Sequence, residues 1–142
     1  MPKTPTPANP PAGTIDLASF NSFIEAQNGR DCTIINPKTG EPMTMKVTVS
    51  GRDSPRFRAA VRWTSRRQLA RAAAGEADND QIDAEDTAEY IARLCSGWSG
   101  FLVDGKELEF SIENAKKVFL AYPFIQTQVD LFAGNNRNFM DA

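Results

Sequence analysis

Between Ser54 and Gly75 the sequence places six arginines (Arg56, Arg58, Arg62, Arg66, Arg67 and Arg71) and no acid. From Glu76 to Glu89 it places seven acids, and no base follows until Arg93. Both blocks read as helices. Asp53 or Ser54 caps the first, Pro55 suits its first turn and Gly75 lies just past its end near Ala74. The second runs from about Ile82 to Cys95, with Ala84, Ala88, Ile91 and Cys95 along one stripe. A basic helix joined by a short acidic turn to an acidic one is constrained to fold back as an antiparallel helical hairpin. Surface ion pairs contribute only about 0–1 kcal/mol each, so charge selects this pairing while the apolar stripes hold it. An arginine helix could also track a phosphate backbone. The adjacent acids would neutralise much of that field, so the hairpin is preferred over nucleic-acid binding.

The basic helix is also two-sided. Phe57, Val61, Thr64, Gln68 and Ala72 form one ridge, while Ala59, Trp63 and Ala70 lie on nearly the opposite side. Both sides cannot face the same core. One is therefore available to another copy of this chain or to another protein, and Arg and aromatic side chains are common interface anchors.

Upstream, residues 1–14 carry Pro2, Pro5, Pro7, Pro10 and Pro11 with almost no apolar side chains. Such a segment cannot bury enough surface to offset the entropy of ordering, and it reads as a disordered tail. A docking peptide for an SH3-like groove is the less common alternative. Asp16 is a fair N-cap for an amphipathic helix over Leu17–Gln27, with Leu17, Phe20 and Ile24 on one face and Phe23 beside it. Packing of that face on the core is the expected outcome. Two strands follow, Cys32–Ile35 and Met43–Val49, joined through Asn36–Gly40. The second alternates, with Met43, Met45, Val47 and Val49 on one face and Thr44, Lys46 and Thr48 on the other. A two-stranded hairpin is marginal alone and needs an apolar cover, for which the arginine helix is the nearest candidate.

From Leu94 to Ala115 the chain must make a shaped connection between helices. Gly97 and Gly100 bracket Trp98, which predicts a tight turn that tucks the indole inward. Asp104-Gly105, between Phe101-Leu102-Val103 and Leu108-Glu109-Phe110, predicts a small hairpin with a primed turn. Ser111 is placed as the N-cap of a helix over Ile112–Ala121, with Ala115, Val118 and Phe119 inward and Lys116-Lys117 outward. Pro123 breaks that pattern. Phe124, Ile125, Val129 and Phe132 define a last helix that stops at Gly134. Residues 135–142 read as a flexible, exposed tail with one anchor, Phe139.

Composition narrows the function. The chain has 142 residues, no histidine and only Cys32 and Cys95 as thiols, which argues against a zinc site or a His-dependent nucleophile. The acids of residues 76–89 lack the Asp-x-Asp-x-Asp-Gly order of a calcium loop, and there is no phosphate-cradling glycine loop. No apolar run is long enough to cross a bilayer, and the start has no signal-peptide pattern. The expected architecture is one α+β domain over residues 15–134, dominated by helices. It has an N-terminal β-hairpin, the helical hairpin, a small second hairpin and two C-terminal helices. No enzyme activity, cofactor or metal is expected.

Several of these segments, in order, resemble the tail assembly chaperones of long-tailed bacteriophages. The resemblance is carried by Asp53-Ser54-Pro55-x-Phe57-Arg58, Gly97-Trp98-Ser99-Gly100 and Asp104-Gly105-Lys106. It continues through Phe110-Ser111-x-Glu113-Asn114-Ala115, Gln128-Val129-Asp130-x-Phe132 and Asn138-Phe139. It covers roughly residues 30–139; the Pro-rich start has no counterpart. These are turn and cap motifs with no chemistry of their own. The resemblance implies a chaperone that coats the hydrophobic, helical tape measure protein, keeps it soluble and helps recruit tail tube protein. It also implies work in the host cell cytoplasm and absence from the finished virion; many members are also made as a longer, frameshifted form. On this reading Arg56, Ala59, Trp63, Arg66 and Phe139 are the expected partner-binding residues. Self-association is expected, and neither nucleic acid nor membrane is an expected partner. The alternatives are a head-tail or tail-completion protein retained in the particle, and a small DNA-binding regulator using Arg56 to Arg71.

Overall fold

The structure, a computed structural model, describes residues 11–77 and 79–140. Most of the Pro-rich start, Asp78 of the acidic run and the last two residues lie outside the described residues, and residues 11–14 are exposed. The chain is α+β and helix-dominated, as expected. Its elements are α1 (Phe23–Asn28), β1 (Arg30–Ile35), β2 (Pro42–Val49), α2 (Pro55–Ala73) and α3 (Asp80–Arg93). They continue with β3 (Cys95–Ser99), α4 (Ile112–Ala121) and α5 (Pro123–Gly134). Short 3-10 turns at Leu17–Phe20 and Asn136–Phe139 flank the set.

The three strands form one antiparallel sheet in the order β1-β2-β3. The alternation in β2 holds from Thr44 onward: Met45, Val47 and Val49 are buried, and Lys46 faces solvent. On the outer face Thr48 donates to the Asp31 carboxylate across the β1–β2 pair, at 2.8 Å. The inner face packs on Ile91, Leu94, Val118, Phe119, Ile125 and Val129, which come from α3, its C-terminal end, α4 and α5. The arginine helix is therefore not the cover of the sheet. Within α2 only Ala60 is buried, and a helix with so little apolar area on any one side cannot compete with α3 and α5 for the sheet.

The stretch after α3 is the second correction. Cys95–Ser99 is a strand, with Val47 opposite Trp98 and Thr48 opposite Gly97, where a tight turn was expected. Ser96 is the extra residue of a bulge between the Thr48–Gly97 and Val49–Cys95 pairs. The turn comes one step later. Gly100 has φ of +84°, and a Cβ there would collide with the Thr44 carbonyl. Trp98 is half-buried; its indole N–H donates to the Leu108 carbonyl at 2.8 Å. Phe101 and Phe110 meet its ring edge-on, at centroid distances of 5.0 and 5.2 Å. The primed turn at Asp104-Gly105 forms with positive φ at both residues. The Val103–Lys106 bridge closes around it, and the flanking Phe101 and Phe110 pack on Trp98 without forming a named strand.

The caps and C-terminal helices follow the sequence closely. The Ser54 hydroxyl accepts from the Phe57 amide and donates to the Gly51 carbonyl. Ser111 accepts from the Asn114 amide, and Ala115, Val118 and Phe119 of α4 are buried. On α5, Gln128 uses both ends of its amide on Ile35: Ile35 N–H donates to Oε1 at 2.7 Å and Nε2 donates to the Ile35 carbonyl at 2.9 Å. A side chain thereby substitutes for the missing neighbour of an edge strand.

Candidate partner-binding surfaces

The helical hairpin forms, and its charge pairing is selective. Phe57, Ala60, Thr64, Arg67 and Arg71 follow one another at helical spacing on the side of α2 that meets α3. Phe57 packs edge-on against Tyr90 at 6.2 Å. Arg67 pairs with Asp86 at 3.2 Å, and Arg71 reaches both Asp83 and Asp86 at 3.3 Å. The Asp86 Oδ2 atom is buried with no hydrogen bond of good geometry, so its charge contact with Arg71 is its compensation. Both inward arginines belong to the distal half of α2, next to the turn. Among the described residues Arg56, Arg58, Arg62 and Arg66 make no ion pair, and acid–base neutralisation covers only part of the arginine field. The ridge drawn through Val61, Gln68 and Ala72 is not the buried one, since all three are exposed.

Four of the five expected partner-binding residues share one stripe. Arg56, Ala59, Trp63 and Arg66 are spaced by three, four and three positions, which keeps them on one flank of α2. Arg56, Ala59 and Arg66 are exposed. Trp63 is half-buried beneath the Arg93 guanidinium, whose central carbon lies 4.6 Å from the ring centroid. The indole thus already has one partner from α3, and its outer part remains on the surface.

Phe139 stands apart from them and is a correction. It is fully buried, at 0% exposure, in a 3-10 turn where a flexible tail was expected. Its ring meets Phe132 edge-on at 5.6 Å and fills the space under Gly51, where an added Cβ would lie 3.0 Å from it and 2.8 Å from Ala26. Asn135 caps the turn and Asn138 donates to the Phe132 carbonyl at 3.0 Å. Phe139 is a core residue that ties α1 to α5, and it has no free face to offer a partner.

The surface that sequence reasoning missed lies at the N-terminal end of α2. The helix expected over Leu17–Gln27 is broken at Asn21-Ser22. Asn21 accepts from the Phe23 amide, and Ser22 is drawn away to donate to the Asp53 carboxylate at 3.0 Å. The break swings the apolar face outward: Leu17 is 79% exposed, Phe20 52%, Phe23 45% and Ile24 57%. Phe20 and Phe23 border a shallow hollow with Arg52, Asp53 and Arg58. It continues into a second hollow lined by Phe57, Val61, Arg62 and Asn136. Asn-Ser between two apolar pairs was the available signal, because both residues favour caps and turns over helix interiors.

The two thiols carry no surface chemistry. Burial pushes Cys32 up from an ordinary 9.0 to about 11 and Cys95 to about 12, so both stay protonated and inert as nucleophiles. Among the described residues no group of His, Cys, Asp and Glu side chains is arranged to hold a metal, and no helix is long and apolar enough to cross a membrane. Compared with protein families, with curated proteins and with solved structures, the chain matches none of them.

Proposed function

We propose that this chain is a bacteriophage tail assembly chaperone, a binding protein and not an enzyme. On this reading it holds the tape measure protein in solution and helps bring tail tube subunits to it. It acts in the host cell cytoplasm and leaves before the virion is complete. The motif order from Asp53 to Phe139 supports the family, and one structural observation supports a binding role. A folded domain leaves Leu17, Phe20, Phe23 and Ile24 uncovered next to arginines that make no ion pair among the described residues. Contiguous apolar surface rimmed by charge marks a place where another molecule sits. A long, apolar, helical client with acidic positions would cover both kinds of group at once.

Co-expression with the tape measure protein encoded in the same genome tests the reading. The expected result is a soluble complex that elutes as one species. If the client precipitates equally with and without this chain, the chaperone reading fails. Finding the chain in purified virions by mass spectrometry would replace it with a head-tail or tail-completion component.

A further inference from the structure

The two halves of α2 are attached to the rest of the domain by different means. The inner half is packed: Ala60 is buried, Phe57 meets Tyr90, and Trp63 lies under Arg93. No residue of α2 beyond Ala60 is buried, and from Ser65 to Ala70 every one is exposed, Leu69 at 70%. Beyond Thr64 the helices stand apart across a cleft of about 510 Å³, walled by Gln68 and Ala72 on one side and by Thr87 and Tyr90 on the other. Three ion pairs span it: Arg67 to Asp86, Arg71 to Asp83 and Arg71 to Asp86. They make a weak clasp. The Arg71 and Asp86 side chains keep only 17% and 13% exposure, yet Asp86 Oδ2 receives no well-formed hydrogen bond in return for its lost water. Desolvation of such a pair can match or exceed its Coulombic gain. The boundary between the halves is also weak within the helix itself. Thr64 and Ser65 are poor helix formers, and the Thr64 hydroxyl donates to the Ala60 carbonyl at 3.2 Å, a back-bond that loosens and bends helices.

We infer that the outer half of α2, from Ser65 to Ala73, is an arm latched to α3 by the ion pairs of Arg67 and Arg71 with Asp83 and Asp86. It opens about Thr64 while the inner half and the sheet stay folded. Off α3 the arm is too short to hold a helix in water, so opening also unwinds it. The open hairpin frees both arginines and both carboxylates, and it uncovers the Tyr90 wall of the cleft. The domain thereby changes the surface it offers without losing its core, and ionic strength sets the balance between the two states. The latch is independent of the chaperone reading, which stands or falls with the client.

Hydrogen exchange of the full-length protein, followed by mass spectrometry, tests the latch. Raising salt to about 1 M is expected to speed exchange over residues 66–73 by on the order of tenfold, as screening weakens three coupled pairs. Over the same range α4 and β2 are expected to keep their protection. Asp86→Ala removes the partner that both arginines share, and is expected to bring most of that speed already at low salt. Arg71→Met/Asp86→Leu replaces the part-buried pair by apolar side chains; it is expected to slow exchange in the arm and to remove most of its salt dependence. Circular dichroism melts verify that both variants fold. The latch is overturned if residues 66–73 of the wild type exchange no faster than α4, or at a rate that ignores salt. It is equally overturned if Asp86→Ala speeds α4 and β2 as much as the arm, or if the apolar double variant stays as salt-sensitive as wild type.

Discussion

Two aromatic side chains show how differently a ring can serve the same domain. Phe139 has no exposed area and is the wedge between Gly51, Ala26 and Phe132. Phe139→Ala should cost about 3–5 kcal/mol, because neighbours held by backbone collapse poorly into the cavity. Trp98 is only half-buried, keeps one hydrogen bond and sits in an edge-on aromatic trio. Trp98→Ala should cost less, about 1–3 kcal/mol. Urea melts of both variants check the order. A Phe139→Ala protein as stable as wild type would return that side chain to the surface and to a partner.

Among the elements, the sheet edge carries the sharpest expectation. β1 is an edge strand whose Ile35 amide and carbonyl are both occupied by the Gln128 side chain from α5. Gln128→Ala frees both groups, and water replaces the lost partner imperfectly at a cost of about 1 kcal/mol. Hydrogen exchange should quicken at the Ile35 amide while central amides such as Val47 keep their protection. Uniform quickening across the sheet would mean that Gln128 holds the whole α5–sheet contact and not only the edge. The helical hairpin behaves differently: it is held at its distal half by Arg67 and Arg71 and at its proximal half by the Phe57–Tyr90 contact.

At the scale of the molecule, the net charge of -2 conceals a separation of charge. The acids of α3 neutralise Arg67 and Arg71, yet Arg56, Arg58, Arg62 and Arg66 stay unpaired among the described residues. Arg58, Arg62 and Arg66 recur at every fourth position along one side of α2 with Arg56 on the neighbouring flank, a short row on a convex helix surface and no concave track. Phosphates of a duplex would meet them as separate contacts, so nucleic-acid binding should be weak. Fluorescence anisotropy with double-stranded DNA at low salt is expected to show no sub-micromolar association. Tight binding with a steep salt slope would favour the regulator reading over the chaperone.

Local chemistry determined much of this protein before any contact was formed. The N-caps at Ser54 and Ser111, the stops at Gly75 and Gly134, the alternation of β2 and the inward face of α4 each depend on residues a few positions apart. Opposed charge blocks likewise determined that α2 and α3 would pair. The Arg56-Ala59-Trp63-Arg66 stripe was legible for the same reason. Tertiary structure decided what depends on a distant partner. Cys95–Ser99, rich in serine and glycine, has no strand pattern of its own and becomes one because β2 supplies a ladder. Phe139 is core because Gly51 leaves room for it, and the Leu17–Ile24 face is uncovered because Asp53 captures Ser22. The groove beside it unites Phe20 and Phe23 with Arg52, Arg58 and Arg62, roughly thirty to forty residues along the chain. Periodicity states that a side of a helix is apolar; only the neighbours that arrive on folding determine whether that side is buried or left for another molecule.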